Sequence, residues 1–263
     1  MGEVEGDVDK AFLAGDLLRR AFDLQAAAAY PGLNEEFRIR VGAFSPLLTD
    51  PNGRGLLDES ARLMFFVCLE AEDPNLRLAA LARLEHAFEE KEQRADLRSM
   101  EVGANGPARP RILGVTYALA AAAFASALQE TAQSPWRQRA ALRYANALGE
   151  LRLTPGVRPE VRAVLSGWEE ALRADPGRLP DVRIGMDAPR LVQEAFERRD
   201  RAVIQRASGG SFEVVLENFL ASLAYFALAS DLSSRNERRR LASQLSNVPL
   251  ILNEVEGLIL AKE

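Results

Sequence analysis

An all-α fold is what this sequence predicts, and three observations carry the prediction. Apolar residues recur at helical spacing along nearly the whole chain, and no stretch shows sustained two-residue alternation rich in β-branched residues. Corners where one apolar helix runs into the next recur as well. Phe66 to Glu72 leads into Asp73-Pro74-Asn75, Ala125 to Gln133 leads into Ser134-Pro135-Trp136, and a looser corner takes Ala229 to Arg235 into Asn236 to Leu245. Asp or Ser can cap the new helix, and Pro fits the first turn because its missing N–H has no intrahelical acceptor there. Breakers such as Pro31-Gly32, Pro155-Gly156 and Gly209-Gly210 punctuate the periodic stretches.

In order, the pattern predicts a first helix from Val8 to Tyr30, with Phe12, Leu13, Leu17, Leu18, Phe22 and Leu24 forming its apolar face. A second follows from Glu35 to Leu48, closed by the turn Asp50-Pro51-Asn52-Gly53. A hairpin then pairs Leu56 to Glu70 with Pro74 to Arg98, and a second pairs Ile112 to Ala132 with Pro135 to Leu151. Helices from Arg158 to Ala174, Ala188 to Ala207, Phe212 to Ser230 and Asn236 to Leu245 complete the set. Asp187 can cap the helix from Ala188, and after a break at Pro249 an apolar end runs from Leu250 to Leu260. About nine or ten helices result, read as antiparallel hairpins in a single all-α domain over residues 1–263. Any subdivision falls in the breaker-rich stretch 99–110, between acidic N-terminal helices (1–98) and C-terminal helices (111–263); that stretch is the best candidate for a mobile or ligand-facing loop, and reads equally plainly as a connector between repeats.

Arg137 to Leu151, Val161 to Leu165 and Asp73 to Leu84 resemble the second helix of a HEAT-type repeat, over roughly 50 residues. The resemblance implies antiparallel helix pairs stacked into a short α-solenoid whose extended surface binds other macromolecules. The residues themselves are equally compatible with an irregular helical bundle.

Charge and composition exclude more than they name. The net charge of -5 is uneven: residues 1–100 hold 12 basic and 19 acidic side chains, residues 101–200 hold 14 and 12, and residues 201–263 hold 7 and 7. An acidic first third argues against nucleic acid lying along the whole length. The single histidine, His86, has Arg83 three residues before it, so the paired Glu-x-x-His ligands of di-iron bundles are missing, and one His with one Cys cannot fill a zinc site. Adjacent aspartates, Gly-x-Ser-x-Gly and the Gly-Lys-Ser/Thr end of a phosphate loop are absent too. The acidic run Glu85, Glu89, Glu90, Glu92, Asp96 is interspersed with Lys91, Arg94 and Arg98 and reads as a solvated face. No catalytic residue, metal ligand or cofactor site is expected, and Cys68 reads as a buried structural thiol. From Ile112 to Gln129 the chain carries no charge for 18 residues, but its alanine-rich middle suits a central packed helix better than a membrane span.

What remains are two arginine clusters. Arg198, Arg199, Arg201 and Arg206 close one helix, where positive charge suits the C-terminal dipole; Arg235, Arg238, Arg239 and Arg240 open another, where it does not. Trp136 and Trp168 are either interface anchors or core. The expected function is a non-enzymatic cytoplasmic helical scaffold that binds a protein partner or itself, with no membrane; the alternative is a nucleic-acid-associated protein working through the C-terminal arginines.

Overall fold

The structure, a computed structural model, describes residues 7–28, 54–101, 108–127, 134–179, 188–233 and 235–261. Its helices are α1 (Val8–Ala28), α2 (Arg54–Glu70), α3 (Pro74–Glu101), α4 (Arg109–Ala127), α5 (Pro135–Leu153), α6 (Pro159–Ala174), α7 (Ala188–Ala207), α8 (Phe212–Leu232), α9 (Arg235–Leu245) and α10 (Val248–Ile259). The all-α expectation holds. The expected helix at 35–48, the turn at 50–53 and the cap at Asp187 lie outside the described residues. Several helix boundaries differ from the sequence reading by a few residues. Helix α3 continues through Glu101 and α4 starts at Arg109, so the 99–110 stretch is helical at both ends, and Pro249 opens α10 in its first turn instead of breaking the chain.

The chain divides into two compact units, Met1–Ala87 and Phe88–Glu263, so the division falls inside α3 and not in the 99–110 stretch. In the first unit α1 packs on α2. Its buried face is not the expected one: Ala11, Gly15 and Asp16 are buried, while Leu13 and Leu17 are exposed. Gly15 is the reason. A Cβ there would lie 2.7 Å from Met64 Cε and 3.3 Å from Leu63 Cβ, so only a bare backbone admits α2 this closely, and the Ser60 hydroxyl donates to the Gly15 carbonyl at 2.7 Å. Asp73 caps α3 as expected, its side chain accepting from the Asn75 amide at 2.9 Å. Cys68 is buried.

Asp16 ties α1 to α3. Arg83 Nε donates to it at 2.6 Å and stacks 4.8 Å over the Phe12 ring, with Arg20 at 2.8 Å and Arg19 at 3.7 Å from the same carboxylate. Burial alone would raise the Asp16 carboxyl. The hydrogen bond and charge of Arg83, then the charges of Arg20 and Arg19, outweigh it and hold the group below its ordinary value.

In the second unit α8 is the hub, packing against α4, α7, α9 and α10. Its segment Phe212–Ser230 has a mean hydropathy of 1.5 and would be long and apolar enough to cross a membrane, but 72% of it is buried inside the protein. Helix α4 meets it with small residues: Ala118 and Ala120 to Ala123 are all buried, as the alanine-rich run predicts for a central helix. Helix α5 packs between α4 and α6, presenting the buried row Trp136, Ala140, Tyr144, Leu148, Leu151. Burial, and then the nearby charge of Glu217, push the Tyr144 phenol well above its usual value, so it packs as a neutral ring. Gly149 lets α6 close in, with the Glu169 carboxylate 3.0 Å from where a Cβ would stand and bridged to Arg152 at 3.4 Å and Arg173 at 3.1 Å. Because α4 reaches across to α8 and α10, the helices of this unit close on one another; in a solenoid each hairpin would meet only its neighbours in sequence.

A small non-helical clasp completes the closure. Val157 and Leu260 form an antiparallel β-bridge, the Arg158 amide donates to the Ile259 carbonyl at 2.9 Å, and the Ala261 amide donates to the Gly156 carbonyl at 2.9 Å. The Arg158 guanidinium also donates to the Leu258 carbonyl and lies 5.4 Å over the Phe212 ring. Gly156 has φ of 82°, the left-handed region, which turns the α5–α6 connection toward the clasp.

Gly156→Ala meets only ordinary contact with Leu260 at 3.6 Å, so its effect is backbone strain, a loss of about 1–2 kcal/mol in denaturant unfolding. Gly167→Ala, in helix α6 with open space at the Cβ position, should stabilise by about 0.5–1 kcal/mol. For Asp16, a folded value below the unfolded one of about 3.9 means stabilisation fully present above that pH and lost as pH falls through the folded value. Asp16→Asn should therefore cost the first unit about 1–2 kcal/mol at pH 7, a difference that shrinks below about pH 4. Both tryptophans lie in the second unit, so helical circular dichroism should register the change while the tryptophan fluorescence transition stays in place.

Candidate functional site

The C-terminal glycine pair fixes where α7 stops. Gly209 has φ of 71°, its amide donates to the Arg206 carbonyl at 3.4 Å, and the Gly210 amide donates to the Gln205 carbonyl at 2.7 Å. This is a Schellman cap, so both amides are taken up by helix termination and neither points at a ligand. The chain then reverses into α8. Ser222 Oγ donates to the Ala195 carbonyl at 2.7 Å and Arg198 Nη1 to Asn218 Oδ1 at 3.3 Å, which registers α7 and α8 as an antiparallel pair.

Helix α10 lies on the same face of α8. Arg158 touches both Phe212 and Leu258, and Arg206 Nη1 pairs with Glu254 Oε2 at 2.6 Å, so α10 runs antiparallel to α8 and alongside α7. A groove of about 320 Å³ lies between α7 and α10. Phe219 of α8 lines it together with Val203 from α7 and Leu250 and Ile251 from α10; Arg199, Arg206, Asn247 and Glu254 are its polar residues. Arg199 and Asn247 each precede their partner in the Arg206–Glu254 pair by seven residues, about 10 Å at 1.5 Å per residue, so they mark the opposite end. Val203 and Leu250 are 51% and 62% exposed, unusual for apolar side chains that line one concavity.

The structure distributes the predicted site residues unevenly. Arg199 and Arg206 line the groove. Arg199 stacks 4.8 Å over the Phe196 ring and pairs with Asp200 at 2.7 Å, Arg201 reaches Glu197 at 3.7 Å, and Arg198 points into the α7–α8 seam toward Asn218. The α7 arginines are therefore matched within the chain, and this cluster is not a bare basic patch. Arg239 and Arg240 are exposed on α9, in its second turn, beyond the reach of the helix dipole that makes opening arginines costly. The side chains of Arg235 and Arg238 lie outside the described residues. Trp136 is 4% exposed, one of the buried row on α5, so it is core and not an interface anchor. His86 and Trp168 are half-buried.

The sequence reading missed the α10 wall altogether, together with Val203. A signal existed: Val248 to Leu252 carries more apolar residues than one helical face can bury, and Val203-Ile204 interrupts a charged stretch. No group of three potential metal ligands gathers among the described residues. Comparison of the chain with protein-family models, with curated proteins and with solved structures found no match.

The Arg206–Glu254 pair spans the groove with both side chains about half exposed. Such pairs contribute up to about 1 kcal/mol. Arg206→Ala should cost no more than that in urea unfolding at low salt, and the difference should fade as salt rises.

Proposed function

We propose that this chain is a non-enzymatic helical scaffold whose α7–α10 groove receives a protein partner. The observation that carries the reading is the pairing of two exposed apolar walls, Val203 and Leu250, with an apolar floor at Phe219, bracketed by arginine at both ends. Protein interfaces set arginine contacts around an apolar centre, and the groove has that composition. Its residues are positioned by rigid helices, and none of them forms an acid–base or nucleophile pair.

The test compares wild type with Leu250→Glu in size-exclusion chromatography with light scattering and in pull-down from native lysate, with circular dichroism as the folding control. The wild-type chain is expected to exceed monomer mass or to retain a stoichiometric partner, and Leu250→Glu to lose that association at unchanged helicity. A strict monomer with no partner, or a partner held equally by both chains, would overturn the proposal.

A further inference from the structure

The groove has a counterpart elsewhere in the sequence. On α1 the exposed residues Asp9, Leu13 and Leu17 follow one another at four-residue intervals, with Arg20 three further on, so they form one stripe along a helix. Leu13 and Leu17 are 62% and 64% exposed, because the Gly15 contact turns the opposite side of α1 onto α2. This face is apolar at its centre, acidic at its start and basic at its end.

We infer that the groove is occupied by α1 of a second copy of this chain, an inference that rests on the proposed protein-binding role of the groove. Leu13 and Leu17 stand about 6 Å apart along the helix axis and match an apolar trough about 10 Å long. Charge sets the direction. Asp9 meets Arg199 at one end, which lays the incoming helix parallel to α7, while Arg20 and Glu254 keep their own partners Asp16 and Arg206. Donor face and acceptor groove are different surfaces, so the contact is heterologous: each copy donates one α1 and accepts another, and association continues into chains or closes into a ring. One helix in one groove is a small interface, which places the affinity in the weak, micromolar class.

Two singly blocked variants test this. Leu13→Glu with Leu17→Glu disables the donor face, and Val203→Glu with Leu250→Glu disables the groove; all four positions are exposed, and circular dichroism with thermal melting verifies folding. In sedimentation velocity over a concentration series, wild type is expected to assemble beyond the dimer while each variant alone stays monomeric. Mixed one to one, the two variants should form a complex that stops at two chains. As a second check, Asp9→Arg or Arg199→Asp should each weaken wild-type association about tenfold, and the two together should restore it. A wild type that stays monomeric throughout the series, or a mixture of blocked variants that remains monomeric, overturns the inference. If monomeric wild type nonetheless holds a foreign protein that Leu250→Glu releases, self-docking is wrong and the groove reading stands.

Discussion

Burial of α8 is the constraint on which the rest of the second unit depends. Val215, Leu216, Phe219, Leu220, Leu223, Tyr225, Phe226 and Leu228 are all buried, each contributing on the order of 1.5–3 kcal/mol of transfer free energy. A helix apolar on every side needs partners on every side. Helix α4 supplies one through alanines that let the backbones approach, and α7 another, with Phe196 set edge-on to Phe226 at 5.2 Å. The one serine in the middle of α8, Ser222, is satisfied by the Ala195 carbonyl, so no buried hydroxyl opposes the packing.

The groove is a consequence of how α10 completes that coat. Its far end is clasped to the α5–α6 turn by Arg158 and the Val157–Leu260 bridge, and its middle is tied to α4 by Arg109 donating to Asn253 at 3.3 Å. It therefore lies over α8 beside α7 without filling the seam between them. The Arg206–Glu254 pair crosses that seam at one end only. An apolar trough is left where two parallel helices straddle a third, the geometry into which a further helix fits.

Much of this was legible in the sequence. Helix α7 was expected from Ala188 to Ala207 and is found there, because a periodic pattern ends on an unambiguous glycine stop. Proline corners placed the starts of α3 and α5 for the same local reason. Facing was less legible. Leu13 and Leu17 look like core by hydrophobicity, and only the tertiary approach at Gly15 turns them outward; Trp136 is open as anchor or core from the sequence, and the row it shares on α5 places it in the core. The groove was hardest to foresee, since its residues come from three helices and its arginines are matched by Asp200 and Glu254, the latter 48 residues from its partner. The clasp at Val157 and Leu260 has no local signature at all, being a pairing of two single residues far apart in the chain.

Hydrogen exchange of the intact chain, resolved by peptide, tests the primacy of α8 most directly. If α8 holds the second unit together, its amides from Val215 to Ala229 exchange slowest there, near the global unfolding limit, while α9, largely exposed among its described residues, exchanges well before it. Protection in α8 no greater than in α9 would contradict the account, because the surrounding helices would then be held by something other than the helix they enclose.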